Sequence, residues 1–167
     1  MHFEPSGTSQ FNEAGLAKHL ISDVRKVFST MVGMHDIFPL PLMTSLANNS
    51  KDCVTAMIGL AGAYNGVVSL HASRGLAIDI TAGMRGMQLA GLDEDIYDAM
   101  GELANMIAGA FKNHLSSGGA DIRISLPSIM TGKKFIISTH EPNYTMSLGF
   151  ATAQDSFLIS AVLNKDH

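Results

Sequence analysis

Three side chains in this sequence, Asp98, Glu102 and Asn105, sit four and three residues apart. On an α-helix that is the i, i+4, i+7 spacing, which lines residues up along one face. Stepping about 100° per residue from Asp98 puts Glu102 near 40° and Asn105 near 340°. A carboxylate accepts hydrogen bonds and attracts cations, whereas a carboxamide both accepts and donates. An acid and an amide one turn apart are therefore suited to gripping polar groups of a second molecule.

The helix that must carry them is predicted to start at or near Asp93 and run to about Leu115, where Ser116-Ser117-Gly118-Gly119 ends it. Ile96, Met100, Leu103, Ala104, Ile107 and Phe111 cluster on the side opposite the stripe, so that side should face the core and the stripe should face out. Any amphipathic helix has a polar face, but two details set this one apart. Gly101 and Gly109 flank the stripe, and a mid-helix glycine costs roughly 1 kcal/mol relative to alanine. Two such costs on an outward face point to something approaching the backbone closely. The stripe also holds no basic partner for its two carboxylates, with only Lys112 near its end. Ordinary solvated faces mix signs. The pattern reads as a docking surface.

The remaining elements follow from periodicity. Leu16, Leu20, Val24, Val27, Phe28 and Met31 form one stripe of a first long helix from Glu13 to about Val32, with Asn12 able to cap it and Gly33 as a stop. Residues 34–50 hold Pro39 and Pro41 and read as irregular chain with a short strand at most. Cys53–Leu60 and Val67–Ala72 read as strands joined by a tight turn at Tyr64-Asn65-Gly66, since Asn-Gly accepts positive φ. Ser73 should cap a shorter helix from about Gly75 to Met87. Asp121–Leu126, Lys134–Thr139, Thr145–Ala153 and Phe157–Leu163 are further strand candidates, and their short links favour an antiparallel sheet.

The whole, residues 1–167, fits one domain, with residues 1–11 as a ragged leader. Hydrophobic residues make up 46% and charged residues 16%, a globular balance. The formal charge of -4 and the lack of a basic patch argue against nucleic acid. No apolar run reaches the roughly 18 residues of a membrane helix, and the N-terminus has no secretory signal, so a reduced cytoplasmic setting is expected. Cys53, the single cysteine, reads as a buried small hydrophobe, and most of the eleven methionines as core filler. The seven histidines show no metal-ligand spacing, and no phosphate-binding Gly-x4-Gly-Lys loop is present.

Asp98-x3-Glu102-x2-Asn105, followed after 21 intervening residues by Pro127, resembles the signature of the CheC/CheX/FliY chemotaxis phosphatases. The block Gly101-Glu102-Leu103-Ala104-Asn105-Met106-Ile107-Ala108-Gly109 is similar to that family's central helix. Gly62–Leu70 and Leu126-Pro127-Ser128-Ile129-Met130-Thr131-Gly132 fit as well. The resemblance covers residues 13–163. It implies an α+β CheC-like domain: a mainly antiparallel sheet with two long helices and one shorter helix packed on one side. CheC-type members carry the helix motif twice and CheX-type members once. In the first helix Asp23-x3-Val27-x2-Thr30 lacks the acid and the amide, so one active face per chain and a CheX-like homodimer with joined edge strands are implied.

The implied substrate is the phosphoaspartate of a CheY-like response regulator. The resemblance then makes the chain a hydrolase in which Asn105 places the attacking water and Glu102 anchors on the lysine beside the phosphorylation site. Asp98 supports the stripe and Pro127 shapes the neighbouring loop. Magnesium belongs to the regulator in this scheme, and the chain needs no cofactor or metal of its own. The alternative is a non-catalytic adaptor related to flagellar switch proteins, in which the same stripe only recognises a partner.

Overall fold

A computed structural model describes residues 13–41, 52–86, 93–115, 117–132 and 144–165. Helix α1 (Glu13–Val27) continues as one π-helical turn, Phe28–Val32, and stops at Gly33, whose φ of 76° suits glycine. Leu16, Leu20, Val24, Val27 and Phe28 are all buried, as their spacing requires. After strand β1 (Phe38–Pro39) come the long strands β2 (Cys53–Gly62) and β3 (Tyr64–Ser73). Helix α2 spans Arg74–Arg85. The Ser73 hydroxyl caps it by accepting from the Leu76 N–H at 3.1 Å and donating to Asp155 at 2.6 Å.

Helix α3 (Asp93–Lys112) is followed by a short 3-10 turn, Ser117–Gly119. Four strands complete the described chain: β4 (Ile122–Ile124), β5 (Ser128–Gly132), β6 (Tyr144–Ala151) and β7 (Ser156–Lys165). Among the described residues the sheet order is β1-β6-β7-β3-β2, with both β4 and β5 on the far side of β2, and every pairing is antiparallel. Alternate residues of the central strands, such as Val54, Ala56, Ile58 and Leu60 of β2, point into a core shared with the three helices. The expected α+β architecture is the one observed.

Three expectations change. The Asn65-Gly66 pair is not the centre of the hairpin turn: β2 and β3 pair as far as Leu60 with Gly66, so the chain reverses over residues 61–65, where Gly62 has a φ of 138° and its N–H donates to Asn65 Oδ1 at 3.2 Å. A Cβ on Gly66 would fall 1.9 Å from the Val162 carbonyl oxygen of β7, so the glycine serves close strand approach instead. The strand expected over Asp121–Leu126 ends at Ile124, and a further strand, β5, begins at Ser128. Cys53 opens β2 only half-buried, because it stands at the strand's end. The expected strand Lys134–Thr139, the Asn12 cap and the leader 1–11 lie outside the described residues.

The β4–β5 edge positions the site. Leu60 pairs with Ile124, but Met57 pairs with Ser128. Between these pairs two residues of β2, Ile58 and Gly59, thus face three on the edge, Ser125, Leu126 and Pro127, which is the one-residue excess of a β-bulge. Gly59 sits opposite the break. Its carbonyl accepts from the Ser125 N–H at 2.9 Å, and its N–H donates to Ser125 Oγ at 2.8 Å. Ser125 Oγ in turn donates to the Leu126 carbonyl at 2.8 Å.

Candidate functional site

Helix α3 is held on its apolar side. Ile96, Met100, Leu103, Ile107 and Phe111 have no exposed surface. Each such side chain contributes about 1.5–3 kcal/mol by burial, so the helix is fixed to the core rather than resting on it. Its first turn carries Asp93, Glu94 and Asp95, favourable at a helix N-terminus. Asp93 also pairs with Arg74 of α2. At the other end Lys112 Nζ donates to the carbonyls of Gly119 at 3.3 Å and Ile122 at 3.0 Å. That lysine is engaged with backbone, not with the acidic stripe.

The opposite face is open. Asp98 and Glu102 are exposed, and Asn105 is half-buried. Among the described residues, no hydrogen bond or ion pair ties down any of these three side chains. All three line one open groove of about 380 Å³, together with Tyr97, Gly101, Leu126, Pro127 and Ile129. The helix supplies the polar wall and the β-bulge supplies the apolar one.

The two glycines part company. Gly101 is buried, contrary to the expectation of an outward glycine, because Pro127 lies over it. A Cβ at Gly101 would meet Pro127 Cγ at 2.9 Å and Cβ at 3.1 Å. The close approach that its type implied is real, but the visitor is the chain's own proline. Gly109 does face open space, with nothing within 4 Å of a Cβ built there, and it lies beyond the groove. The Glu-x2-Asn spacing and the distant proline therefore form one unit: the proline locks into a notch on the helix that bears the acid and the amide.

Sequence reasoning missed Leu126, Tyr97 and Ile129 as groove walls. Leu126 is 87% exposed, the more exposed of the two large hydrophobic side chains left bare among the described residues. Its signal was the Ser-Leu-Pro interruption of an otherwise strand-like run, which reads as a strand end rather than a display site.

The histidines play other parts. His71 is buried among sheet hydroxyls, with Nδ1 3.0 Å from Thr55 Oγ1. His114 meets Asp23 at 2.6 Å and stacks on His19. Among the described residues no group of three or more His, Cys, Asp or Glu side chains is arranged to hold a metal ion.

Comparison with known proteins agrees with this geometry. The chain is 27% identical over 128 residues to the CheY-P phosphatase CheX of Thermotoga maritima, covering 76% of this chain and 82% of that one. A crystal structure of CheX from Desulfovibrio desulfuricans superposes with a TM-score of 0.71 at 28% identity, covering 90% of this chain and 99% of that one. The fold is also that of CheX in the Borrelia burgdorferi CheX–CheY–BeF3–Mg complex, with a TM-score of 0.71 at 17% identity over 90% of this chain and 98% of that one. The family model described as chemotaxis phosphatase CheX matches residues 54–151, a stretch running from β2 through the groove to β6. With more than half of its length matched in this way, the chain belongs to the chemotaxis phosphatase CheX family.

Proposed function

We propose that this chain hydrolyses the phosphoaspartate of a CheY-like response regulator, with Asn105 and Glu102 as the working pair. The observation that carries the reading is that this acid and this amide stand one helical turn apart, without partners among the described residues, in a groove open to a second protein. The Thermotoga maritima relative named as a CheY-P phosphatase and the Borrelia burgdorferi complex of CheX with CheY support it.

An acyl phosphate is already reactive, so the catalyst mainly has to place water in line with phosphorus. The Asn105 amide accepts one hydrogen bond from that water and donates another, without a charge to repel phosphoryl oxygens. The water oxygen bonds to phosphorus as the bond to the aspartyl oxygen breaks. The carboxylate leaves with the electron pair, and the water's proton goes to the phosphate product. Magnesium remains the regulator's own ion. Glu102 pairs with the regulator's active-site lysine, a contact strengthened as the groove closes and water leaves. Asp98 supports the stripe one turn earlier. Pro127 holds the loop against Gly101, and Gly109 leaves backbone open beyond the groove.

We further infer a cytoplasmic homodimer with joined sheet edges as the working form. Among the described residues no helix is long and apolar enough to cross a membrane.

The test is loss of phosphate from a radiolabelled CheY-like regulator of the same genome. Asn105→Ala should lower turnover about a hundredfold or more while keeping most of the binding. Glu102→Ala should weaken both. Full activity in Asn105→Ala refutes the assignment. Binding without turnover by the parent protein establishes the adaptor reading instead.

A further inference from the structure

Leu126 is at odds with ordinary surface chemistry. A leucine side chain 87% exposed leaves nearly all of its apolar area in water. Scattered exposed leucines are common and need no explanation. This one differs in three ways, each visible in the structure. It lines the same groove as Glu102 and Asn105. It is the middle residue of a β-bulge, a device that turns side chains out of the sheet's regular alternation. Its backbone is held on both sides: Ser125 is bonded twice to Gly59, and Pro127 sits in the Gly101 notch. The exposure is therefore built in and cannot be attributed to a loose loop tip.

We propose that Leu126 is the apolar anchor of the regulator complex, seating against a hydrophobic patch beside the regulator's phosphorylated aspartate. This rests on the phosphatase reading of the groove. Continuity decides the occupant, because whatever presents a phosphoryl group to Asn105 must cover the apolar wall of the same groove. Protein interfaces concentrate their affinity in such central, rigidly displayed side chains, ringed by polar contacts. Glu102 then gives register and charge complementarity, and Leu126 gives affinity.

The experiment measures steady-state dephosphorylation of a CheY-like regulator of the same genome, and binding of its beryllofluoride- and magnesium-loaded form by calorimetry. Leu126→Ala and Leu126→Asp should raise KM and Kd about tenfold or more, and the effect should fall on KM rather than kcat. Leu126→Met should restore parental values, because the contact asks for apolar area rather than for one shape. Substituting an exposed side chain leaves the fold in place, and circular dichroism checks this. Parental KM and Kd in Leu126→Asp overturn the proposal. So does a change of oligomeric state by light scattering in that variant, which would assign the leucine to a contact between copies of this chain. A parent protein that binds the loaded regulator without turnover refutes the phosphatase reading alone, and Kd then still tests the leucine.

Discussion

Replacing Gly101 by alanine tests the link between the helix and the bulge. The new methyl carbon would lie 2.9 Å from Pro127 Cγ and 3.1 Å from Pro127 Cβ, with Ile129 Cδ1 at 3.7 Å. Carbon atoms rest at about 3.5–4.0 Å, so the overlap with the ring is about half to one ångström. The ring cannot swing aside as a free side-chain end would. It belongs to a loop bonded to Gly59 through Ser125. Forcing a methyl into such a contact costs about 1–3 kcal/mol. Alanine in place of glycine in a helix interior gains about 1 kcal/mol. The net effect is a loss of about 0–2 kcal/mol.

Gly109→Ala provides the control, since its methyl meets nothing within 4 Å and keeps the propensity gain. The propensity gain is common to both variants, so the difference between them isolates the proline contact at about 1–3 kcal/mol. Urea denaturation of both variants and the parent, with a shared slope, measures it. At this chain length each kcal/mol moves Tm by about 2–4 °C. Pro127→Ala in the Gly101→Ala background should recover most of the loss. Equal stability of the two glycine variants would show that no ring occupies the notch, and the account of the groove's apolar wall would fall with it.

Two further outcomes follow from packing alone. Gly66→Ala should cost about 3 kcal/mol or more by urea denaturation, because its methyl would meet the Val162 carbonyl, which is backbone and cannot turn away. Unchanged stability there would mean that β3 and β7 are not so close. Ser73→Ala should cost about 1–2 kcal/mol, removing both the α2 cap and a donor to Asp155. Ser73→Thr should keep much of that stability, and an equal loss in both variants would count against the capping role.

How much was legible depended on whether a signal was local. The α3 stripe could be read outright, since its apolar and polar sides are set by helical periodicity over many residues, and every apolar position named for it is buried. The Ser73 cap was legible for the same reason: a cap is decided within four residues. Asn65-Gly66 was legible only in part: Asn65 holds the turn by accepting from the Gly62 N–H, but Gly66 already pairs with Leu60 and lies against β7, a strand the sequence does not place nearby. The bulge was invisible because an extra residue exists only relative to a partner's register. Gly101 was judged by its helix alone, while its real neighbour, Pro127, comes from a different element. The acid and the amide were thus readable, and of the apolar wall facing them only Pro127 was, through the family resemblance.

Helix α1 shows why the fold by itself does not make a site. It packs against α3, and with the π-helical turn that continues it carries Asp23, Val27 and Thr30 at the same sequence spacing as Asp98, Glu102 and Asn105. Yet Val27 is buried in the core, and the Thr30 hydroxyl donates to the Lys26 carbonyl of its own helix at 2.8 Å. Asp23 is occupied by His114. Every polar group at these positions is turned to holding this molecule together. On α3 the three side chains have no such employment among the described residues, and the helix beneath them is anchored well enough not to need them. Polar groups that stabilise nothing at home are the ones free to act on a partner. That difference, rather than architecture, separates the two helices and restricts the proposed chemistry to one face of each chain.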